Sequence, residues 1–170
     1  MSQNHPEPPQ PPNVERKIAF HRVELIGMSL IALIPLLALL NVFGLALEKV
    51  EAADQQLALR VEHIARGRQL QLAEFAISVE NHGDAVLPLV TVSVARDYIE
   101  QFTQVMFTPD VAAITDQAYE IELEDVQPGE TRFITVDLRP TAGGQHTGTV
   151  SAAADGGASV SVTFNTLVFP

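Results

Sequence analysis

The residues best suited to bind a transition metal are three histidines that follow residue 57: His63, His82 and His146. Imidazole nitrogens are common ligands of copper and zinc, and Met106 would add a soft thioether. None of the three lies at a short metal-ligand spacing from another, and two fall in predicted turns or at strand ends. We therefore expect solvated or structural histidines and no metal or cofactor. A membrane-displayed metal-delivery or ligand-binding module remains the alternative function.

The densest acidic group lies between residues 120 and 130. Glu120, Glu122 and Glu124 alternate with apolar residues, and this period of two places them on one face of a strand. Neighbouring carboxylates on a strand face repel one another, so a cation or a basic partner would relieve them. Calcium sites usually draw their ligands from a loop. We therefore expect a solvated outer face that protects a sheet from edge aggregation.

The chain shows no signature of an enzyme. It contains no cysteine, which excludes disulfides, thiolate nucleophiles and cysteine-based metal or iron–sulfur sites. It also lacks a nucleophile elbow, a phosphate-binding glycine loop, a zincin histidine pair and a kinase motif. Its glycine pairs fall between predicted strands, where they indicate turns. We therefore predict a non-enzymatic protein.

The elements that position these residues begin with an apolar stretch. Residues 25–47, LIGMSLIALIPLLALLNVFGLAL, carry no charge and are long enough to cross a bilayer core of about 30 Å. Arg16, Lys17 and Arg22 precede the stretch, whereas Lys49 alone follows it closely, which places the amino terminus in the cytoplasm. A cleaved signal peptide is the alternative, but its apolar core normally spans only about 7–15 residues. We expect an uncleaved single-pass anchor in the cytoplasmic (inner) membrane and a periplasmic or extracellular carboxyl-terminal domain.

One stripe of the predicted membrane helix combines small residues with an amide. Gly27, Ile31, Ile34, Ala38 and Asn41 recur at a spacing of three and four residues. Such a stripe is typical of helix–helix contacts in lipid. It predicts an integral membrane protein partner. The alternative is that Asn41 simply reaches the headgroup region.

The excess of acidic over basic residues lies entirely after the apolar stretch. After residue 47 the chain holds 18 acidic and 7 basic residues, a balance that repels phosphate and argues against a nucleic acid partner. Arg60, Arg66 and Arg68 form the only basic cluster of this part of the sequence. We expect these arginines to pair with Glu62 and Glu74, with lipid headgroups as the alternative partner.

From residue 57 onward the apolar period becomes two. Residues 69–81 are predicted to form one long strand with a bulge, and the segments 81–84 and 127–130 have the composition of turns. Seven or eight short strands with turns between them predict a mainly β protein, an immunoglobulin-like antiparallel β-sandwich preceded by one transmembrane helix. The expected organisation is a disordered proline-rich cytoplasmic tail (1–22), a transmembrane helix (23–47), a membrane-proximal linker or helix extension (48–56) and an extracytoplasmic sandwich (57–170).

Two runs of the sandwich carry a resemblance to known modules. VENHGDAVLPLVTVSV and VQPGETRFITVDL resemble the immunoglobulin-like modules of bacterial adhesion-type and membrane-anchored proteins. The whole layout is similar to that of uncharacterised bacterial single-pass membrane proteins and of accessory subunits of membrane complexes. This fold-level resemblance implies no site residues. It implies a non-enzymatic membrane-anchored interaction or accessory subunit, whose helix docks on a partner while its sandwich packs outside.

Overall fold

The computed structural model describes residues 22–39 and 45–170. The chain divides into two compact units, Met1–Leu37 and Ala38–Pro170. The helix α1 spans Arg22–Leu39 and contains Pro35. Among the described residues, none of the helices has the length and apolarity needed to cross a membrane.

The second unit is mainly β. A single short helix, α2 (Arg96–Ile99), lies among the strands of the described residues. The strands are β1 (Ala46–Ala53), β2 (Leu57–Arg68), β3 (Ala73–Asn81), β4 (Leu87–Ala95), β5 (Phe102–Thr108), β6 (Ala113–Ile114), β7 (Ala118–Val126), β8 (Thr131–Pro140), β9 (Gly144–Ala154) and β10 (Ser159–Phe169).

These strands form two layers, which are joined where β2 pairs with β10. One layer has the order β5-β8-β3-β2, with β1 on the other edge of β2, and the other has the order β10-β9-β4-β7-β6. All neighbours are antiparallel except β2 and β10, which pair in parallel between Arg66–Arg68 and Leu167–Phe169. A single apolar core contains side chains from both layers. This arrangement confirms the predicted immunoglobulin-like β-sandwich.

The strand β2 belongs to both layers because its side-chain alternation changes phase. Leu57, Leu59 and Val61 are buried in alternation, but His63 and Ile64 are buried in succession. Up to residue 62, β2 pairs with β3, whereas its last three residues pair with β10. The phase change therefore marks where β2 leaves the first layer and joins the second.

The segment 48–56 is neither a linker nor a helix extension, so this prediction was wrong. Residues 46–53 form β1, which pairs with β2 from Ala46 opposite Arg66 to Ala53 opposite Ala58. The strand forms because Val50 and Ala52 pack on the core while charged residues alternate with them. Because β1 begins at Ala46, the last two residues of the predicted span 25–47 are part of the sandwich.

The expected pairing of the arginine cluster with Glu62 and Glu74 was wrong for Arg60. Arg60 Nε lies 3.2 Å from Glu51 Oε2, and Lys49 Nζ lies 3.1 Å from Glu62 Oε2. Both ion pairs join β1 to β2, so the basic partner of Glu62 comes from the strand that the sequence did not predict.

Residues 69–81 form a turn and a strand rather than one long strand. β2 ends at Arg68, and β3 begins at Ala73. Between them Leu70 adopts φ +61°, and its amide donates to the carbonyl oxygen of Pro140 at 3.0 Å. The change of phase that indicated a bulge is in fact this tight turn.

The sandwich has two distinct ends. We call the end where the chain reaches the sandwich the base; it comprises residues 45–47, 66–72, 139–144 and 167–170, which the β2–β10 pairing and the turn contacts bring together. We call the opposite end the apex; it comprises the turns 54–56, 82–86, 127–130 and 155–158, which adjoin the far ends of the same strands.

Candidate functional site

Four of the five predicted helix-packing residues lie on α1. Helical periodicity places Gly27, Ile31, Ile34 and Ala38 along one side of α1. The side chains of Ile31 and Ile34 are 71% and 63% exposed, and a Cβ added at Gly27 would have no atom within 4 Å. The stripe therefore offers a surface that another helix could approach closely. The fifth residue, Asn41, lies outside the described residues.

The acidic residues on β7 lie on its outer face, as predicted. Ile121 and Leu123 are buried, whereas Glu122 and Glu124 are exposed and Glu120 is half-buried. Their neighbours across the ladder with β4 carry small hydroxyl side chains at two of the three positions, with Glu120 opposite Ser93, Glu122 opposite Thr91 and Glu124 opposite Leu89.

The outer face of this layer continues with hydroxyl residues on β9 and β10. Thr149 and Thr163 lie opposite each other with their hydroxyl oxygens 3.2 Å apart, and the Thr147 hydroxyl donates to Asn165 Oδ1 at 2.8 Å. A surface of short polar side chains beside carboxylates suits contact with water. The arrangement fits the expectation of a solvated outer face.

The three histidines of the sandwich have different surroundings. His63 is buried and stacks on Phe164 with ring centroids 4.5 Å apart, and burial lowers its pKa below 6.5. His82 lies in an apical turn 3.3 Å from Glu80 Oε1, and His146 Nε2 lies 3.3 Å from the carbonyl oxygen of Ala142 near the base. Across residues 22–39 and 45–170, no group of three or more histidine, cysteine, aspartate or glutamate side chains is arranged to hold a metal.

An aromatic cluster that the sequence did not indicate fills the core towards the base. Tyr98 on α2 is buried against Phe102 and Phe164, with ring centroids 4.8 and 5.2 Å away. Its hydroxyl lies 3.0 Å from Thr166 Oγ1, and burial raises the pKa of Tyr98 to about 12. A neutral, hydrogen-bonded tyrosine in an apolar cluster has a packing role.

A shallow groove crosses the outer face of the layer that contains β8. Phe133 is 69% exposed on this face, opposite Ser78 of β3, and Ser78 lies opposite Arg60 of β2. The small side chains of Ala53, Ala58 and Ser78 form the floor of the groove, whose volume is about 560 Å³. The signal in the sequence that could have found it is a phenylalanine at an outward position of a strand, next to the buried Ile134.

Comparison with known proteins identifies no family. No family model matches the chain, and neither does any curated protein. Among solved structures, the CARDB domain of the PF1109 protein from Pyrococcus furiosus, solved in complex with di-metal ions, is 17% identical over 69% of this chain and 97% of that chain, with a TM-score of 0.43. A non-cellulosomal cohesin from Archaeoglobus fulgidus is 16% identical over 62% of this chain and 86% of that chain, with a TM-score of 0.39. BslA, a bacterial hydrophobin, is 6% identical over 74% and 95%, with a TM-score of 0.40.

Proposed function

We propose that this protein is a non-enzymatic, membrane-anchored accessory subunit that binds an integral membrane protein. The observation that carries the proposal is the apolar surface of α1. Eight large apolar side chains of this one helix are exposed: Ile26, Met28, Leu30, Ile31, Leu33, Ile34, Leu36 and Leu39. A helix that is apolar on all sides needs lipid or another helix around it.

The proposed anchor is shorter than the apolar stretch in the sequence. Residues 46 and 47 belong to β1, which leaves residues 25–45 for the bilayer. These 21 residues meet the requirement of about 20 for a transmembrane helix. The basic residues before the stretch support a cytoplasmic amino terminus and an extracytoplasmic sandwich.

The partner would contact two surfaces. Within the bilayer, the stripe of Gly27, Ile31, Ile34 and Ala38 would pack against a partner helix, since small residues allow close approach. Outside, the groove beside Phe133 would receive a segment of the partner. Exposed aromatic and arginine side chains beside small residues are typical of the centre of a protein interface.

Affinity purification from native membranes in mild detergent, followed by mass spectrometry, tests this proposal. A carboxyl-terminal tag on the full chain should recover a stoichiometric polytopic protein. Ala38→Leu and Asn41→Leu should reduce that recovery, because bulk and loss of the amide disturb the stripe. Ser29→Leu is the matched control, since helical periodicity places residue 29 on the opposite side of α1.

The contribution of the groove is tested in the same experiment. Phe133→Ala should lower recovery of the same protein, whereas Thr135→Ala, two residues along the same face of β8, should leave it unchanged. Recovery of the tagged chain alone from every preparation would contradict the proposal of an accessory subunit.

A further inference from the structure

The base of the sandwich exposes an unusual share of apolar side chains. Outside α1, nine large apolar side chains of the described residues are exposed. Five of them are leucines of the base: Leu45, Leu47, Leu70, Leu72 and Leu167. The apex contributes only Val86, although it contains four turns. The five leucines therefore form a patch rather than a random scatter.

Backbone contacts bring the five leucines together. Leu167 lies opposite Arg66 on β2, and Arg66 in turn lies opposite Ala46 on β1. The side chain of Leu45 approaches Gly67, with its Cδ1 atom 3.8 Å from the position of an added Cβ. The turn that holds Leu70 and Leu72 joins the same ends of β2 and β3.

Leu70 is exposed in a backbone conformation that suits other residues better. Its φ of +61° lies in the left-handed region, where glycine and asparagine are favoured, and its side chain is 67% exposed. Neither the conformation nor the exposed leucine contributes to a folded core. Their coincidence points to a contact made outside the chain.

The charge of the base is opposite to that of the rest of the sandwich. Its four segments contain Arg66, Arg68 and Arg139 and no acidic residue. Arg66 and Arg68 are exposed. Acidic residues adjoin these segments: Glu48 follows Leu47, and Glu74 lies opposite Asp137 on β8. The flank formed by α2 and the turn before β7 adds Asp97, Asp116 and Glu100, which is paired with Arg96 at 2.6 Å.

We propose that the base rests on the bilayer surface, with Leu70 and Leu72 in the interfacial region and Arg66 and Arg68 against anionic headgroups. Leucines beside arginines provide the apolar burial and electrostatic attraction that interfacial binding requires. The chain reaches the sandwich at Leu45, near the end of the apolar stretch, so an anchor ending there would hold this end near the lipid. The inference therefore rests on the proposed membrane anchor, which it extends by fixing the orientation of the sandwich.

Single-tryptophan variants of the full chain test this orientation, since the natural sequence contains no tryptophan. Leu70→Trp and Leu72→Trp report on the base, and Val86→Trp is the matched apical control. The proteins are reconstituted at a low protein-to-lipid ratio in vesicles of phosphatidylcholine and phosphatidylglycerol whose acyl chains are brominated near the headgroup. We expect bromine to quench both basal tryptophans and to leave Trp emission of the apical variant unchanged. Adding Arg66→Gln and Arg68→Gln to the Leu70→Trp chain should reduce its quenching to the level seen in pure phosphatidylcholine.

Three results would overturn the proposal. In the first, the basal tryptophans are not quenched although alkaline carbonate does not extract the chain. This result would support the anchor and refute only the orientation. The second is quenching that falls as the protein-to-lipid ratio rises, because a second copy of the chain would then cover the patch in place of lipid. The third is complete extraction of the chain by carbonate, which would refute the anchor and the orientation together.

Discussion

The base and the apex close the same sandwich by different chemistry. Polar side chains close the apex, whereas aromatic rings and a parallel strand pair close the base. The two surfaces differ in the same sense, since the apical turns hold Asp54, Asp84, Glu130 and Asp155 without lysine or arginine, and the basal segments hold arginines and exposed leucines. Folding requires one shared core, but it does not require the two ends to carry different surface residues. The difference is therefore informative about the surroundings of each end.

The apex depends on one buried amide. Asn81 is fully buried, and its Nδ2 donates to the carbonyl oxygens of Ala85 at 2.8 Å and Val126 at 2.9 Å. Its Oδ1 accepts from the Gly83 amide at 2.9 Å. Asn81 thus ties the turn between β3 and β4 to the end of β7.

The base depends on close contact between aromatic rings and backbone. Phe164 packs against both Tyr98 and Phe75, with ring centroids 5.2 and 5.5 Å away. A Cβ added at Gly148 would lie 2.6 Å from Phe164 Cζ and 3.0 Å from Tyr98 Cδ2. The cluster therefore leaves no space for a side chain at position 148.

The largest loss of stability is expected from removing the apical amide. Asn81→Ala leaves the buried carbonyl of Val126, the part-buried carbonyl of Ala85 and the Gly83 amide without their partner, which should lower the free energy of unfolding by about 3 kcal/mol. Asn165→Ala is the control, because Asn165 makes its bond with Thr147 at the exposed surface. Urea unfolding of the full chain in detergent, followed by circular dichroism, measures both. Equal losses in the two variants would show that the apex does not depend on Asn81.

A smaller loss is expected from adding a methyl group inside the basal cluster. Gly148→Ala forces Phe164 or its strand to move, at a cost of about 2 kcal/mol. Gly156→Ala at the apex is the matched control, since the nearest atom to its Cβ is Gln56 Oε1 at 3.7 Å. The same unfolding measurement applies, and a neutral Gly148→Ala would contradict the tight packing described for the base.

The buried histidine should make stability depend on pH. Burial lowers the pKa of His63 in the folded chain below its ordinary value of 6.5, so the unfolded chain binds more protons in the range just below that value. Stability should therefore fall as the pH drops below about 6.5, in line with the ordinary histidine pKa. In His63→Phe, which keeps a ring against Phe164, this contribution should disappear. Thermal unfolding at pH 7.5 and pH 5.5 measures it, with His82→Phe at the exposed apex as control; an unchanged pH dependence in His63→Phe would contradict the prediction.

The smallest expected effect is a gain in stability, unlike the losses predicted above. Leu70→Asn should stabilise the sandwich by about 0.5 kcal/mol, because asparagine tolerates the left-handed backbone better than leucine. Leu72→Asn removes a similar exposed side chain at a position without positive φ and should give no such gain. If Leu70→Asn stabilises the sandwich and also weakens its contact with lipid, Leu70 has a role at the bilayer that is separate from folding. A destabilising Leu70→Asn would instead assign Leu70 to the fold.

The sequence predicted the parts of the sandwich in which alternation and turn residues are clear. The outward glutamates of β7 and the turn at Gly129 with φ +73° are confirmed. The strand β1 was missed because its polar residues, such as Glu48 and Lys49, also favour helix. The transfer of β2 between layers was missed because a parallel contact of three residues leaves no period in the sequence.

The candidate surfaces were harder to predict for a similar reason. The stripe on α1 follows from helical spacing alone. The groove beside Phe133 and the patch of basal leucines combine residues from distant strands, so only the strand order brings them together. Arg66 and Arg68 were visible as a cluster, but their place beside exposed leucines was not.

The most direct test of the account is the location and orientation of the chain in a membrane. The natural chain has no cysteine, so Ser2→Cys and Asp155→Cys each provide one labelling site, before the apolar stretch and at the apex. One portion of the membranes is extracted with alkaline carbonate, and sealed vesicles of both orientations from a separate portion are labelled with an impermeant maleimide. We expect both variants to remain in the membrane after extraction. Ser2→Cys should be labelled only from the cytoplasmic side, and Asp155→Cys only from the opposite side. Release of the chain by carbonate, or labelling of both positions from the same side, would contradict the account.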